Sequence, residues 1–356
     1  MANLKLRDRD APITKEGLIF RVFGYSHPSN AYICDAEYAA AKIFKSTNPK
    51  ALRNQGRHVF YKFYEDEGWR FIQKHFPQYI VFHDMLHRKV VGVYDHDVEN
   101  VRKPYESLET LIEMDSKDKL LAALENILEF TTQHSSLSTK DFGVFGSILH
   151  GFYHPKFSDI DLIIYGKRNF VRLYETLQEV YGNKFSPLRN EFETGDSVRE
   201  KRWNFQNYSL KEYIWHQRRK MIYALFTDER GGRVIKTEFE PVKNWEEINN
   251  EYDAETRVQQ MGWTKIFARV IVDRDALFIP SIYSIEPLKV LNGARDAVEV
   301  NRIISYVEEF RMQARKDETI YVEGNLEKVI SPKENYYQVV LTYCPRYYEQ
   351  VLKIAS

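Results

Sequence analysis

Two aspartates at the start of an apolar run constrain the fold of this chain more than any other feature of its sequence. Asp159 and Asp161 flank one isoleucine and open a run that continues to Tyr165. In a strand, residues i and i+2 face the same side, so both carboxylates share one face while the opposite face is apolar. Adjacent carboxylates repel each other by about a few kcal/mol unless a cation lies between them. The pattern therefore predicts a strand that carries a site for a divalent cation, with Mg²⁺ as the expected ion.

A second motif lies upstream, between a predicted strand at residues 142–145 and a short predicted helix. Gly146 and Ser147 occupy this junction, and Gly151 follows in the next turn. Glycine lets a ligand approach the backbone, the first turn of a helix offers free N–H groups, and serine adds a hydroxyl donor. This combination suits a phosphate group, and Gly151 is expected to let the turn pack closely against the sheet.

Composition and charge exclude several classes of protein. Lys plus Arg and Asp plus Glu each count 51 in 356 residues, so no dominant affinity for nucleic acid is expected, although a local basic surface remains open. Cys34 and Cys344 lack the spacing of a zinc site or a disulfide framework, which favours a reducing, cytoplasmic setting. No run approaches the roughly 18 apolar residues of a membrane helix, and the first residues lack the apolar segment of a signal peptide. No membrane partner is expected.

The sequence divides into three predicted regions and belongs to the α+β class. Residues 1–110 form a β-rich module with one helix at about residues 60–74. Residues 111–252 form the central domain. Residues 253–356 form a second β-rich module with one helix at about residues 298–314, and this module is expected to be barrel-like.

In the central domain, leucine and isoleucine recur with helical spacing after Ser116, which is expected to cap that helix. A strand is predicted at residues 160–165, a helix at residues 171–181 and another strand at residues 233–242.

Together the two motifs resemble the signature of a known superfamily. The stretch from Phe145 to Gly151, followed by Ser158-Asp-Ile-Asp161, is similar to that of the polymerase-beta-like nucleotidyltransferases. Residues 13–22 also resemble archaeal proteins known mainly as predicted nucleotidyltransferases. The resemblance implies a nucleotidyltransferase core in which a small mixed sheet carries the metal site and helices cover one face.

The resemblance also implies a reaction. A nucleoside monophosphate would pass from an NTP such as ATP to a hydroxyl acceptor, with release of pyrophosphate. Asp159 and Asp161 would hold the metal, with two Mg²⁺ ions about 3.5–4 Å apart expected and Mn²⁺ able to replace them. Gly146 and Ser147 would position the triphosphate, with Ser158 beside the first aspartate.

The family's mechanism requires a third carboxylate on a neighbouring strand. In the predicted strand at residues 233–242, Glu238 and Glu240 alternate with apolar residues and share the polar face. This alternation leaves both glutamates as candidates. The family often has an acid followed by two residues and proline here, which favours Glu238 and keeps Glu240 as the alternative. A solvated hairpin with alternating charges would show the same pattern.

Basic residues between these strands are further candidates for the triphosphate. Arg199 and Arg202 precede an aromatic stretch at residues 203–208, an arrangement that suits phosphate groups or a nucleic-acid backbone. The same residues would equally form a solvated surface beside core aromatics.

The acceptor is the part of the reaction that the sequence constrains least. Two β-rich regions exceed what a small-molecule transferase needs, and the C-terminal one combines tyrosines with basic residues, which favours RNA over protein as the acceptor. Those residues are Tyr321, Tyr336, Tyr337, Tyr343 and Tyr347 with Lys328, Lys333 and Arg346. Tyrosines on strands also pack in half-buried positions. The alternative function is a catalytically weak or inactive nucleotide- or RNA-binding module with the same fold.

Overall fold

The chain folds into two compact units. The computed structural model describes residues 4–194, 205–342 and 346–355. Unit 1 comprises Met1–His83, Arg88–Arg189 and Ala224–Tyr252, and unit 2 comprises Asp84–His87, Asn190–Tyr223 and Asp253–Ser356. Most of the first two predicted regions thus lies in one unit, while the predicted boundaries near residues 110 and 252 remain predictions.

Strands dominate both units. The first thirteen strands are β1 Ala11–Thr14, β2 Leu18–Val22, β3 Ala31–Ala40, β4 Leu52–Gln55, β5 His58–Lys62, β6 Ile80–His83, β7 Arg88–Tyr94, β8 Val98–Arg102, β9 Phe142–Val144, β10 Ile160–Tyr165, β11 Leu188–Asn190, β12 Tyr223–Asp228 and β13 Arg233–Val242. The last six are β14 Arg257–Asp275, β15 Ser281–Asn292, β16 Val300–Ser305, β17 Thr319–Ile330, β18 Asn335–Leu341 and β19 Val351–Ile354.

Six α-helices lie within the described residues. They are α1 Glu67–His75, α2 Pro104–Ile112, α3 Lys119–His134, α4 Gly146–Leu149, α5 Lys167–Gly182 and α6 Leu210–Arg219. None of the described helices has the length and apolar character needed to cross a membrane.

Two sheets form unit 1. The first has eight strands in the order β4-β5-β3-β2-β1-β8, with β7 paired to β3 and β6. The second has five strands in the order β11-β12-β13-β10-β9, in which β10 runs parallel to β13 and antiparallel to β9. This second sheet is the small mixed sheet that the resemblance implied.

The two faces of β10 are buried by different partners. Ile160, Leu162 and Ile164 are fully buried on one face, and α5 packs on β10 and β13. The opposite face carries Asp161 and, further along, Ile163 and Tyr165, because side chains alternate along a strand. Ile163 and Tyr165 join a core cluster with residues of the first sheet. The members of that cluster are Ala11, Ile19, Tyr38, Phe145, Leu149, Phe152, Ile163, Tyr165 and Val242. The N-terminal sheet therefore covers part of the face that carries the carboxylates.

Two local predictions in unit 1 are wrong. Residues 60–74 are not one helix, because strand β5 continues to Lys62 and pairs with β3 before α1 begins at Glu67. Helix α3 is capped by Asp118, whose carboxylate accepts hydrogen bonds from the first free backbone N–H groups, and not by Ser116. The apolar spacing located the helix but not its first residue.

The C-terminal sheet of unit 2 closes on itself. Its order is β14-β15-β16-β18-β17-β19, and β14 also pairs with β17, so five strands form a ring with β19 outside it. Strands β16 and β18 are parallel, and the other strand pairs of this sheet are antiparallel. The ring encloses a core of buried apolar side chains that includes Ile266, Tyr283, Ile303 and Val322.

The helix predicted at residues 298–314 is wrong. Val300–Ser305 is strand β16, flanked by short 3₁₀ turns. Val300, Ile303 and Ile304 have helical spacing, but they are β-branched and buried in a strand of a closed sheet, with Val300 and Ile303 in its enclosed core. A strand buried on both faces shows an apolar run that periodicity alone does not separate from a helix.

Candidate active site

Asp161 and Glu238 lie side by side on one face of the central sheet. Strands β10 and β13 are parallel, and their register pairs Asp161 with Glu238. Aligned residues of neighbouring strands project to the same side, so both carboxylates point away from the helix-covered face. Both side chains are half-buried. The strand predictions for residues 160–165 and 233–242 match these strands in both bounds.

The surroundings of Asp161 disfavour its negative charge. Burial, followed by the neighbouring carboxylates of Glu240 and Asp159, raises the pKa of this carboxyl to about 7. The charges of Lys62 and Lys236 act in the opposite direction without offsetting the rise. A carboxyl held in this way gains stability when a cation approaches it.

Gly146 is required by its backbone conformation and by its contact with Asp161. Its φ of +61° lies in the left-handed region that favours glycine. A Cβ at this position would lie 2.3 Å from Oδ2 of Asp161, and the adjacent backbone N–H of Phe145 donates to the Asp161 carbonyl oxygen at 2.9 Å. Gly146 therefore packs directly against the carboxylate of Asp161.

Ser147 follows in the first turn of α4 and is half-buried. Its carbonyl oxygen accepts a hydrogen bond from the Phe152 N–H at 2.8 Å, which fixes the turn after α4. A role of its hydroxyl toward a triphosphate stays a prediction.

Ser158 belongs to the loop before β10, and its hydroxyl is used within that loop. Oγ of Ser158 accepts from the backbone N–H of His154 at 2.8 Å. Arg233, the first residue of β13, donates to the carbonyl oxygens of Pro155 at 3.1 Å and Ser158 at 2.6 Å. Asp159, the residue after Ser158, is exposed. Arg233 therefore holds the segment that presents Asp159.

Glu240 differs from Glu238 in its surroundings. Glu240 is buried, and its Oε2 lies 2.6 Å from Nε of Arg9, which is fully buried. This pair neutralises the Glu240 charge inside the protein, because a buried carboxylate needs a charged or hydrogen-bonded partner. Glu238 is the more exposed of the two and lies opposite Asp161. The arrangement favours Glu238 as the third acid.

The donor chemistry fits a hard divalent cation, although no complete ligand cluster is assembled. Asp161 and Glu238 supply carboxylate oxygens, and burial together with the neighbouring carboxylates raises the pKa of Asp161, so a cation would stabilise its charged form. Across residues 4–194, 205–342 and 346–355, no group of three His, Cys, Asp or Glu side chains lies close enough to hold a metal ion. The assignment of Asp159, Asp161 and Glu238 as metal ligands remains a prediction.

Two predicted phosphate ligands cannot be placed. Arg199 and Arg202 lie outside the described residues.

Two other side chains near the motif have no counterpart in the sequence predictions. The charge of Lys62 acts on Asp161, and the pairing of β5 with β3 that fixes the position of Lys62 is not indicated by any local pattern. Arg233 could have been found from the sequence, because it is the first residue of the strand that is predicted to carry the third acid. Strands β10 and β13 are parallel, so the start of β13 lies beside the loop that precedes β10.

In unit 2, the tyrosines proposed to face RNA are engaged with protein groups. Their hydroxyls contact charged side chains: Tyr321 with Glu323, Tyr336 with Arg302, Tyr337 with Asp296 and Tyr347 with Glu309. Tyr343 lies outside the described residues. The rings of these four tyrosines are held in place by such contacts, which favours packing over stacking on bases.

Comparison with known proteins finds a family match within the central region. The sequence model of a family described as nucleotidyltransferase domain matches residues 124–222, which include Gly146, Ser147, Asp159 and Asp161 but not Glu238. The chain is also 26% identical to an uncharacterized protein of Methanocaldococcus jannaschii over 357 residues, covering 99% of each chain. No solved structure matches the chain.

Proposed function

Because the chain carries a nucleotidyltransferase domain of the polymerase-beta-like kind, we propose that it transfers a nucleoside monophosphate from an NTP to a hydroxyl acceptor. The observation that carries this proposal is the pairing of Asp161 with Glu238 beside Gly146. Two carboxylates on one sheet face next to a glycine turn provide oxygen ligands and a place where backbone can approach phosphate.

Mg²⁺ is the proposed metal, held by Asp159, Asp161 and Glu238, with Glu240 as the alternative third ligand. Two ions are proposed, and Mn²⁺ is expected to substitute. When bound, the metal would neutralise phosphate charge and make the acceptor hydroxyl more acidic. Gly146 and Ser147 are proposed to position the triphosphate.

In the proposed transfer, the acceptor oxygen forms a bond to the α-phosphorus of the NTP. The bond between that phosphorus and the oxygen bridging to the β-phosphate breaks, and its electron pair leaves with pyrophosphate. The acceptor proton passes to the Glu238 carboxylate, which lies next to Asp161 and is partly open to solvent.

The test measures Mg²⁺-dependent ATP binding and pyrophosphate release by the full chain and by Asp161→Asn, Glu238→Gln and Glu240→Gln. Asp161→Asn and Glu238→Gln should lower turnover by at least about 100-fold, which equals about 2.7 kcal/mol of transition-state stabilisation. These changes remove a charge and nearly preserve shape. Turnover that is equal in the native protein and Asp161→Asn would reject the metal role of Asp161.

The comparison of Glu238→Gln with Glu240→Gln identifies the third acid. Glu240→Gln should mainly lower the free energy of unfolding, because it removes the nearer of the two buried carboxylates that pair with Arg9, Glu240 at 2.6 Å and Asp8 at 3.8 Å. If Glu240→Gln abolishes turnover in a folded protein while Glu238→Gln retains it, then Glu240 completes the site.

RNA is the proposed acceptor, ahead of protein, in a cytoplasmic setting. The size of the regions outside the matched domain supports a macromolecule, whereas zero net charge and the engaged tyrosines limit the expected affinity. A salt titration of RNA binding tests this choice, since counterion release strengthens binding at low ionic strength. No binding at low salt would redirect the proposal to a small-molecule or protein acceptor. RNA or nucleotide binding without any turnover would support the alternative of an inactive binding module.

A further inference from the structure

We propose that Lys62 of the N-terminal sheet binds the β- and γ-phosphates of the nucleoside triphosphate. This inference rests on the proposed function and adds a phosphate-binding residue from outside residues 124–222, the region that the family describes. It would make the N-terminal sheet a part of the nucleotide site.

The position of Lys62 follows from strand pairing. Lys62 is the last residue of β5 and pairs with Tyr38 of β3. The Tyr38 ring lies 5.1 Å from the ring of Phe152, in the segment that follows α4, and Phe60 packs on Phe152 at 4.9 Å. Lys62 is two residues after Phe60, so both side chains lie on the same face of β5. The side chain of Lys62 therefore projects toward the segment that joins the two motifs.

Lys62 is also a cation without a protein partner. Its side chain is half-buried, and within the described parts of the chain its ammonium group makes no hydrogen bond or ion pair. By contrast, Arg9 on the same unit is fully buried against Glu240. Partial burial of an unpaired ammonium is unfavourable, and an anionic ligand would offset that cost.

The charge of Lys62 acts on the carboxylate side of the sheet. It lowers the pKa of Asp161 against the larger effect of burial, and it also acts on Glu37 of β3. Lys62 thus lies within electrostatic reach of Asp161, the carboxylate proposed to hold the metal that would neutralise the phosphates. During transfer, negative charge grows on the departing pyrophosphate, and an ammonium group positioned there would stabilise it.

The experiment compares ATP and AMP binding, with Mg²⁺, by the full chain and by Lys62→Met, Lys62→Arg and Lys89→Met. Lys89 is an exposed lysine on β7 of the same sheet and is the matched control. Lys62→Met should weaken ATP binding by about 10-fold or more, the effect of one charge-assisted hydrogen bond, and AMP binding by far less. Lys62→Arg and Lys89→Met should bind ATP within about 3-fold of the native protein.

A second measurement uses the native protein and does not depend on folding of the variants. ATP should protect Lys62 from an amine-acylating reagent, as read by mass spectrometry, while AMP should not. Equal labelling of Lys62 with ATP and with AMP would overturn the inference.

The two proposals fail in different ways. If Lys62→Met binds ATP as well as the native protein while Asp161→Asn does not, the Lys62 assignment is wrong and the proposed function stands. If the native protein binds no ATP with Mg²⁺ or Mn²⁺, both the proposed function and the inference are wrong.

Discussion

At the residue scale, Gly146 should tolerate no side chain. Gly146→Ala places a methyl group in the left-handed region, with its Cβ 2.3 Å from Oδ2 of Asp161, so Asp161 or the turn must move. The free energy of unfolding should fall by about 1–3 kcal/mol. Denaturant unfolding measures this loss, and nucleotide binding should weaken in the same variant.

Gly182→Ala is the control for that substitution. Gly182 ends α5, and a Cβ there meets no atom within 4 Å. Alanine should leave stability unchanged or raise it by up to about 1 kcal/mol, because alanine favours helix. A Gly146→Ala protein as stable as the native one would show that Asp161 does not rest against this glycine.

His27 should make stability depend on pH. Burial lowers its pKa from 6.5 to about 4. Nδ1 of the ring accepts a hydrogen bond from the Ile33 N–H, and Nε2 donates to the Gly24 carbonyl oxygen. Protonation of Nδ1 would therefore place two N–H donors against each other. Between pH 6.5 and about 4, the unfolded chain binds more protons at His27 than the folded chain does. The stability that the neutral His27 ring contributes is therefore fully present above pH 6.5 and is lost as pH falls toward 4.

The measurement is the free energy of unfolding at several pH values for the native protein and for His27→Asn. The native protein should lose up to about 3 kcal/mol more than the variant across this window. The exposed His134, changed to Asn, serves as the control. Identical pH slopes for His27→Asn and the native protein would contradict the prediction.

At the scale of elements, Arg233 joins β13 to the loop that precedes β10. Removing its two hydrogen bonds to the carbonyl oxygens of Pro155 and Ser158 should let that loop open more often. In Arg233→Met, the N–H groups of Phe157 and Ser158, which donate to the His154 carbonyl oxygen, should exchange with deuterium at least about 10-fold faster.

The matched control is Arg230→Met, since Arg230 is exposed in the turn before β13. Its exchange rates should equal those of the native protein. Unchanged exchange in Arg233→Met would show that the loop is held by its own hydrogen bonds, such as that between His154 and Ser158.

At the scale of the whole molecule, the N-terminal sheet should be indispensable to the fold of unit 1. A chain of residues 111–356 would expose Ile163, Tyr165 and Val242 and leave Glu240 without Arg9. Loss of one partner of a buried ion pair costs about 3–5 kcal/mol, against a total stability of about 5–15 kcal/mol. In this shortened chain the backbone N–H groups of β10 and β13 should lose their protection from hydrogen exchange, whereas the C-terminal sheet, which has its own core, should keep its protection.

Supplying residues 1–110 as a separate polypeptide should restore the protection of β10 and β13 from exchange if the prediction is right. Native-like protection of these two strands in residues 111–356 alone would instead establish the N-terminal region as an independent module.

Local patterns in the sequence determined the strand with Asp159 and Asp161 and the alternation around Glu238. A strand repeats every two residues, so the residues that share a face can be read without knowing what covers it. The same reasoning failed at residues 298–314, where the apolar spacing is typical of a helix but the residues form β16 inside a closed sheet. Only the pairing of β16 with β15 and β18 decided that this segment is a strand and not a helix.

The tertiary structure alone decided which glutamate pairs with a buried arginine and which lysine of another sheet acts on Asp161. Arg9 and Glu240 are 231 positions apart, and the charge of Lys62, at the end of β5, acts on Asp161 in β10. Such contacts depend on which distant segments bury their apolar faces together. The free energy of that burial arises only in the folded chain, so the sequence around Arg9 or Lys62 shows no periodic pattern that would predict these contacts.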